Sequence, residues 1–225
     1  DGAERGGLGV VHGDAVHRAR AIEHEGQRRR GLGGARDRRG DLDRDVGLVA
    51  VTDITDRKRA QTIMAGERDV FERIAADAPL REVLEATVAL AESICADFIV
   101  SISRLGHDGR SFVEVIGPRL PEALRQADEN TLIDVRNGSS AAAVYLGRAV
   151  LVGNVRTDPY WQRRRELASA AGFAAAWAVP IKAAGGKVLG ALTVYRSLAG
   201  RPQEHDLEFI THAARLAAVA IERCY

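Results

Sequence analysis

Several residue types are scarce in this 225-residue chain, and each scarcity excludes a class of protein. Cysteine occurs only as Cys95 and Cys224, which supply neither a disulfide framework nor the spacing of a metal site. No apolar run approaches the roughly 18–20 residues that a membrane-spanning helix needs, so we expect no membrane span. Lysine contributes only three of 32 basic residues, and the net charge of +1 indicates no nucleic-acid partner.

The beginning of the chain also lacks a targeting signal. Asp1–Gly9 shows no basic stretch followed by an apolar core, so we expect no secretory signal and a reducing cytoplasm as the compartment. Apolar residues at 46% and charged residues at 28% are typical of a soluble globular protein. The length predicts one complete domain plus part of a second, cut from a longer polypeptide.

The first part of the chain predicts the end of a domain rather than a whole one. Its first 45 residues are rich in glycine and arginine and carry few large apolar side chains. The β-branched run Val46–Ile54 predicts a strand, and the pattern becomes helical after Thr55. The string Asp53–Ala60 resembles the exit motif of PAS sensor domains, in which a last strand ends in Asp-Ile-Thr and a signalling helix begins with Arg-Lys. The resemblance implies the C-terminal strands of a PAS domain without its ligand site.

The predicted signalling helix carries a stripe with the periodicity of a coiled coil. Ala60, Ile63, Glu67, Val70 and Ile74 alternate spacings of three and four residues. Two interpretations are open: the stripe pairs with a second copy, or it packs on its own domain. Gly66 lowers the helix propensity by ~1 kcal/mol relative to alanine, which makes it a candidate soft point.

Residues 79–223 predict helices and strands in a regular order. Helical periodicity, strand alternation and turn residues define the boundaries. The predicted elements are helix 79–95, strands 98–105 and 112–116, helices 121–126 and 139–146, strand 149–152, helix 163–171, strands 174–183 and 187–196, and helix 202–223.

Local strings within this order resemble GAF domains. Ile116–Pro121 resembles the Gly-Pro-x-Leu-Pro element of GAF domains that lie between PAS modules and kinase or cyclic-dinucleotide outputs. Asn154–Trp161 resembles their Asp-Pro-x-Trp turn, and Trp177–Ile181, Val188–Tyr195 and Ala217–Arg223 complete the resemblance. It implies an α+β fold: an antiparallel sheet with the first and last helices on one face and short helices enclosing a pocket on the other.

The two resemblances together imply an organisation and a function. We expect a partial PAS domain at 1–55, a signalling-helix linker at 56–78 and a GAF domain at 79–223. GAF domains of this kind imply a non-catalytic sensor of bacterial signal transduction, in two-component or cyclic-di-GMP signalling. The output domain, a kinase, a GGDEF or EAL domain or a phosphatase, would lie outside this chain. The alternative is a ligand-free module for dimerisation and signal relay.

The resemblance also implies a homodimer that pairs through the linker and the first and last helices. The expected seam consists of aliphatic and small residues on two helical stripes. These residues are Ile63, Val70, Ile74, Leu207, Ile210, Ala214, Ala217 and Ile221.

At two positions this sequence lacks a cysteine that these relatives often carry. Gly138–Ala141 reads Gly-Ser-Ser-Ala where relatives often carry Gly-Ser-Cys-Gly, and Ala176 replaces a cysteine before the tryptophan. Bilin attachment and methionine sulfoxide reduction both need suitably placed cysteines, so we expect no enzyme and no bilin. The cofactor, if one exists, is unknown, and His205 and His212 lack the neighbours of a metal or haem site.

Five residues are the candidate ligand-binding set, chosen because rings bury area and hydroxyls orient a small organic ligand. They are Ser139, Ser140, Tyr145, Trp161 and Trp177. The alternatives are that both tryptophans are core packing and that Ser139 or Ser140 caps a helix. The runs Arg28–Arg30 and Arg163–Arg165 are interpreted as solvated faces.

Overall fold

The computed structural model describes residues 39–93, 96–129 and 131–224, with side chains from Arg57 onward. The chain divides into two compact units, Asp1–Gly47 and Leu48–Tyr225. The sheet and its covering helices belong to the second unit. No helix in the described part of the chain is long and apolar enough to cross a membrane.

The elements follow the predicted order from residue 79 onward. Their bounds are α1 Arg39–Ala75, α2 Leu80–Glu92, β1 Ile99–Leu105, β2 Phe112–Ile116, α3 Glu122–Asp128, α4 Ser139–Leu146, β3 Val150–Val152, a 3₁₀ turn Pro159–Trp161, α5 Arg165–Ala170, β4 Ala175–Lys182, β5 Val188–Arg196 and α6 Glu204–Arg223. The five strands form one antiparallel sheet in the order β2-β1-β5-β4-β3. The predicted α+β class is confirmed.

The predicted strand at Val46–Ile54 is wrong, because α1 runs through this segment as one helix from Arg39 to Ala75. A short apolar run does not distinguish a strand from a helix. A strand needs a neighbour for its backbone hydrogen bonds, and every named strand in the described residues belongs to the sheet of β1–β5. A helix satisfies these groups within itself. The other PAS interpretations, on residues 1–38, lie outside the described residues.

One face of the sheet is covered by α2 and α6, and we call it the α2/α6 face. Its strand residues are large and apolar, and each is at most 3% exposed. They are Val100, Ile102, Ile116, Trp177, Val179, Ile181, Leu192 and Val194. Both helices are amphipathic, with their buried sides toward the sheet. This face holds the larger part of the apolar core.

The predicted dimer seam lies in this core. Val70 and Ile221 are 0% exposed, and Ile210, Ala214 and Ala217 are at most 3% exposed within a single chain. These five residues are therefore covered within a single chain, as the alternative of packing on the same domain predicts. Periodicity identifies an apolar stripe but does not tell which surface covers it.

Gly66 marks a close contact between α1 and α2. A Cβ atom added at Gly66 would lie 2.6 Å from Cδ1 of Leu90. The glycine therefore lets the two helices approach closely.

Candidate functional site

The opposite face of the sheet lies beneath a layer of α3 and α4, and we call it the α3/α4 face. Alternate strand residues point to one side, and on this side Tyr195 and Ala191 join the clusters of that layer. Ser101, Ser103 and Thr193 share this side, and each is 0% exposed. Ser101 pairs directly with Thr193 across β1 and β5. We call these three residues the hydroxyl patch.

All three members of the hydroxyl patch are buried without a hydrogen bond of good geometry among the described residues, although the hydroxyl of Ser101 lies by that of Tyr195. Ser103 Oγ and Thr193 Oγ1 are buried and have no hydrogen-bond partner among the described residues. Buried polar atoms in native proteins are nearly always hydrogen-bonded, since a buried hydroxyl that has lost water without gaining a partner is destabilising. The hydroxyls of Ser103 and Thr193, on adjacent strands, are therefore available on this face to donate hydrogen bonds to a ligand and to accept them from it.

Helix α4 is tied to the sheet by Ser139. Its hydroxyl donates to the carbonyl oxygen of Ala176 at 3.0 Å and accepts from Nε1 of Trp161 at 2.9 Å. The helix is capped by Gly138, at φ 95°, without a side-chain bond. The interpretation of Ser139 as a helix cap is therefore wrong, because its hydroxyl reaches across to β4. Small residues along α4, Ser139–Ala143, let the helix lie close to the strands.

Tyr195 occupies the centre of an aromatic group on this face. Its ring packs edge-on against Trp161 at 6.3 Å and stacks on Phe173 at 5.0 Å. Its hydroxyl lies by the carboxyl of Asp128 and the hydroxyl of Ser101. Burial, followed by the charge of Asp128, raises the pKa of Tyr195, so the phenol stays neutral.

A buried ion pair lies beside this aromatic group. Arg164 donates to the carboxylate of Asp128, to the carbonyl oxygen of Ala127 at 2.6 Å and to Oγ1 of Thr131 at 2.8 Å. Burial raises the pKa of Asp128, and the attraction of Arg164 opposes that rise. Asp128 and Arg164 are the only buried charged side chains in the described part of the chain.

The prediction of a solvated face is thus wrong for the middle of Arg163–Arg165. Arg164 is 7% exposed, whereas Arg163 is exposed. The backbone N–H of Arg164 donates to the carbonyl of Trp161, and its guanidinium is held inside by its bonds to Asp128, Ala127 and Thr131. The run of arginines was interpreted as one solvated surface, so the member that points into the protein was not recognised.

An open groove of about 850 Å³ leads to the edge of the same face. Tyr145, 64% exposed, stands on its rim. The groove is lined mainly by apolar side chains, with one acidic and one basic residue. The lining is Leu105, Asp108, Gly109, Arg110, Leu132, Ile133, Val144, Tyr145 and Val188.

The structure brings together only part of the predicted ligand-binding set. Ser139 and Trp161 are bonded to each other, Ser140 is buried on the same helix, and Tyr145 lies at the groove. Trp177 lies on the α2/α6 face, where it packs edge-on against Phe98 and its Nε1 donates to the carbonyl of Gly200 at 3.0 Å. It is core packing, as the alternative interpretation held.

Sequence reasoning missed most of the polar groups of this face: Ser101, Ser103, Asp128, Arg164, Thr193 and Tyr195. A signal for the serines was present, since Ser101 and Ser103 alternate with buried aliphatic residues in β1. The alternation was used to predict the strand, but it does not tell that the serine side is buried as well.

The histidines of α6 pair with carboxylates. Nε2 of His212 lies 2.8 Å from Glu67, and Nε2 of His205 lies 3.3 Å from Asp206. Within the described residues, no group of three or more potential ligands for a metal ion occurs. Cys224 is exposed, and Cys95 lies outside the described residues.

Comparisons with known proteins agree with this architecture. The sequence model of the GAF domain family matches residues 79–221. A methyl sulfide methyltransferase-associated sensor from Methanosarcina acetivorans is 36% identical over 170 residues. That match takes in 76% of this chain but only 17% of the archaeal protein, so this chain corresponds to a small part of that relative.

Two solved structures share the fold at low sequence identity. The GAF domain of an Acinetobacter phosphoenolpyruvate-protein phosphotransferase has a TM-score of 0.55 at 15% identity, covering 74% of this chain and 94% of that one. Free methionine-R-sulfoxide reductase from Neisseria meningitidis, in complex with its substrate, has a TM-score of 0.56 at 18% identity, covering 73% and 88%. The helix order, the antiparallel sheet and the match over 79–221 place this chain in the GAF domain family.

Proposed function

We propose that this chain is the sensory module of a cytoplasmic signal-transduction protein and that a small molecule binds between the sheet and the α3/α4 layer. The observation that carries the proposal is the pair of buried hydroxyls without partners, Ser103 and Thr193. A ligand with a polar atom would satisfy both. Ser139 and Trp161 would form one wall, Ser140 would lie on the covering helix, and Tyr145 would stand at the entrance.

The proposed role is binding rather than catalysis. The described residues of the site offer hydroxyls, a neutral phenol and a paired arginine, but no thiolate or free base. Ser140 and Ala176 occupy the two positions at which relatives of this kind often carry cysteine. The name of the Methanosarcina protein, a sensor, supports the same class of function.

The packing suggests how a ligand would affect the rest of the chain. Ser139 joins α4 to β4 at Ala176, and the next residue of β4, Trp177, belongs to the core under α6. A ligand that moves α4 would therefore shift a strand that also supports α6 and, through Val70, the end of α1. The proposed receiver of the signal is an output domain such as a kinase, a GGDEF or EAL domain or a phosphatase. The proposed source of a second input is the partial PAS domain 1–55, which would act through the linker 56–78.

A thermal-shift screen with nucleotides, haem, flavin and small metabolites tests this proposal. A ligand that binds only the folded state must raise the melting temperature. We expect at least one hit whose effect is lost in Ser103→Ala and kept in Ser169→Ala, since Ser169 is exposed. A silent screen, or a hit that is insensitive to Ser103, contradicts the proposed site.

A second candidate function, a dimerisation and relay module without a ligand, is favoured by one surface of α1. Met64 and Phe71 are 68% and 51% exposed and lie seven residues apart, the spacing of one coiled-coil seam. Glu67, Arg68 and Glu72 flank them. This exposed stripe, rather than the buried one, is the proposed contact between two copies.

Sedimentation of the chain and of two matched variants tests the pairing. Phe71→Asp should convert dimer to monomer, because it places a charge in the seam. Val113→Asp is the control, since Val113 is equally exposed at 51% but lies on β2. A wild-type chain that stays monomeric at high concentration contradicts the dimer.

A further inference from the structure

We infer that the ligand of the hydroxyl patch is an electrically neutral molecule with an apolar body and a hydrogen-bonding group, and that it enters through the groove beside Tyr145. This inference rests on the proposed function, because it names the chemical class of ligand for the same site. It follows from how charge and apolar surface are distributed around Ser103 and Thr193.

The charged side chains beside the site and at the groove occur in pairs of opposite sign. Arg164, the one buried cation among the described residues, already donates to Asp128, Ala127 and Thr131, so its charge and its two terminal nitrogens are engaged. An anionic ligand would have to displace Asp128 and leave that carboxylate buried without a partner. A cationic ligand would have to draw Asp128 away from Arg164, with the same consequence. Only a neutral ligand leaves the pair intact.

The groups without partners are hydroxyls, which suit a neutral ligand. A serine or threonine hydroxyl both donates and accepts one hydrogen bond or more, so Ser103 and Thr193 can bind an alcohol, an amide or a ring nitrogen. Hydroxyls alone compensate poorly for the loss of water around a full charge. The patch therefore selects against carboxylates, phosphates and ammonium groups.

The groove provides a route to the patch. Leu105, in the groove wall, follows Ser103 on the same side of β1 and belongs to a cluster with Ala141, Val144 and Ala191. Ser103 pairs with Ala191 of this cluster across β1 and β5. This cluster therefore connects the groove wall with the neighbourhood of Ser103. A side-chain movement of Val144 or Tyr145 would open the path.

The groove itself favours an apolar, uncharged body. Most of its lining is aliphatic, with Tyr145 as an exposed ring on the rim. Its two charged residues, Asp108 and Arg110, have opposite signs, so the entrance has no net charge. A flat apolar group would pack on the ring while its polar end reaches the hydroxyls.

Matched pairs of small aromatic probes test the inference. Benzyl alcohol and benzamide are the neutral probes, and benzoate and benzylammonium are their charged counterparts of similar size. Ligand-observed NMR and thermal shift on the whole chain measure binding of each. We expect the neutral probes to bind at least ten-fold more tightly than the charged ones.

Two variants locate the binding. Ser103→Ala and Thr193→Val should each raise the melting temperature of the ligand-free chain, because each removes a buried hydroxyl without a partner, and each should weaken the neutral probes several-fold. A serine with a purely structural role would not give this pair of opposite effects. Thr193→Val keeps the side-chain shape and so serves if Ser103→Ala folds poorly, and Ser169→Ala is the control that should change neither quantity.

The outcomes separate this inference from the proposed function. Tighter binding of benzoate or benzylammonium, or neutral binding that neither variant weakens, overturns the inference, while a hit in the metabolite screen would still support a ligand site. Silence of all four probes at millimolar concentration also overturns it. Silence of the metabolite screen as well overturns the proposed function itself.

Discussion

The two faces of the sheet are made by the same strands but by different kinds of side chain. The α2/α6 face carries large apolar residues such as Trp177 and Leu192, all contacting a continuous core. The α3/α4 face carries serines, a threonine, alanines and a buried ion pair. Since neighbours along a strand point to opposite faces, Leu192 and Thr193 belong to different environments. The α2/α6 face supplies the apolar packing that stabilises the fold, whereas the α3/α4 face keeps buried polar groups that such packing does not require.

The largest expected effect comes from breaking the ion pair of the α3/α4 face. Asp128→Ala leaves Arg164 buried without its carboxylate and should lower the free energy of unfolding by about 3–5 kcal/mol. Asp134→Ala is the control, because Asp134 pairs with Arg136 at the surface and its loss should cost far less than that of Asp128. Urea unfolding of both variants measures the difference, and equal losses would mean that the pair does not hold this face together.

A slightly smaller effect is expected on the α2/α6 face. Leu192→Ala should lower the free energy of unfolding by about 2–5 kcal/mol, since Leu192 is fully buried and the change leaves a cavity. Val219→Ala, at a position 48% exposed on α6, should change it by at most about 0.5 kcal/mol. Thermal and urea unfolding test both variants. A small loss of unfolding free energy in Leu192→Ala would contradict the assignment of the α2/α6 face as the larger part of the apolar core.

An intermediate effect tests how closely α1 packs on α2. Gly66→Ala improves helix propensity by about 1 kcal/mol, but the added methyl meets the buried Leu90 and such overpacking costs about 1–3 kcal/mol. We expect a net loss of up to about 2 kcal/mol. The double variant Gly66→Ala with Leu90→Val should be less destabilised than Gly66→Ala alone, because the shorter side chain makes room. A stabilised single variant would show that the two helices are not in close contact.

The smallest effect has the opposite sign. Thr193→Val in the ligand-free chain should raise the free energy of unfolding by about 1 kcal/mol, because it replaces a buried hydroxyl without a partner by a methyl of similar shape. Thr87→Val is the matched control, since the hydroxyl of Thr87 is equally buried but donates to the carbonyl of Val83. Calorimetry compares the two, and a destabilised Thr193→Val would show that the hydroxyl is satisfied in solution.

Element order was predictable because it depends on local pattern. The bounds of α4, Ser139–Leu146, and of β2, Phe112–Ile116, agree with the prediction residue by residue. Val46–Ile54 failed because a short apolar run is compatible with both strand and helix, and only the presence or absence of a partner strand separates them.

Residue type alone predicted only part of the candidate site. Ser139 and Trp161 were chosen by residue type and do meet, through one hydrogen bond. Trp177 was chosen for the same reason but lies on the other face, because its position in β4 decides the side on which it packs. Arg164 and Asp128 are 36 residues apart, and no pattern within either segment indicates their pairing.

The sequence by itself determined the class of fold and the order of its elements, because periodicity and turn residues are local properties of the chain. The tertiary structure alone decided which stripe of α1 is buried, which face each tryptophan occupies and which hydroxyls remain without a partner. Those outcomes depend on contacts between residues far apart in sequence, such as Ser101 with Thr193 and Val70 with the core under α6. A side chain's partner is a property of the packed molecule, so the site became visible only once the layers were in place.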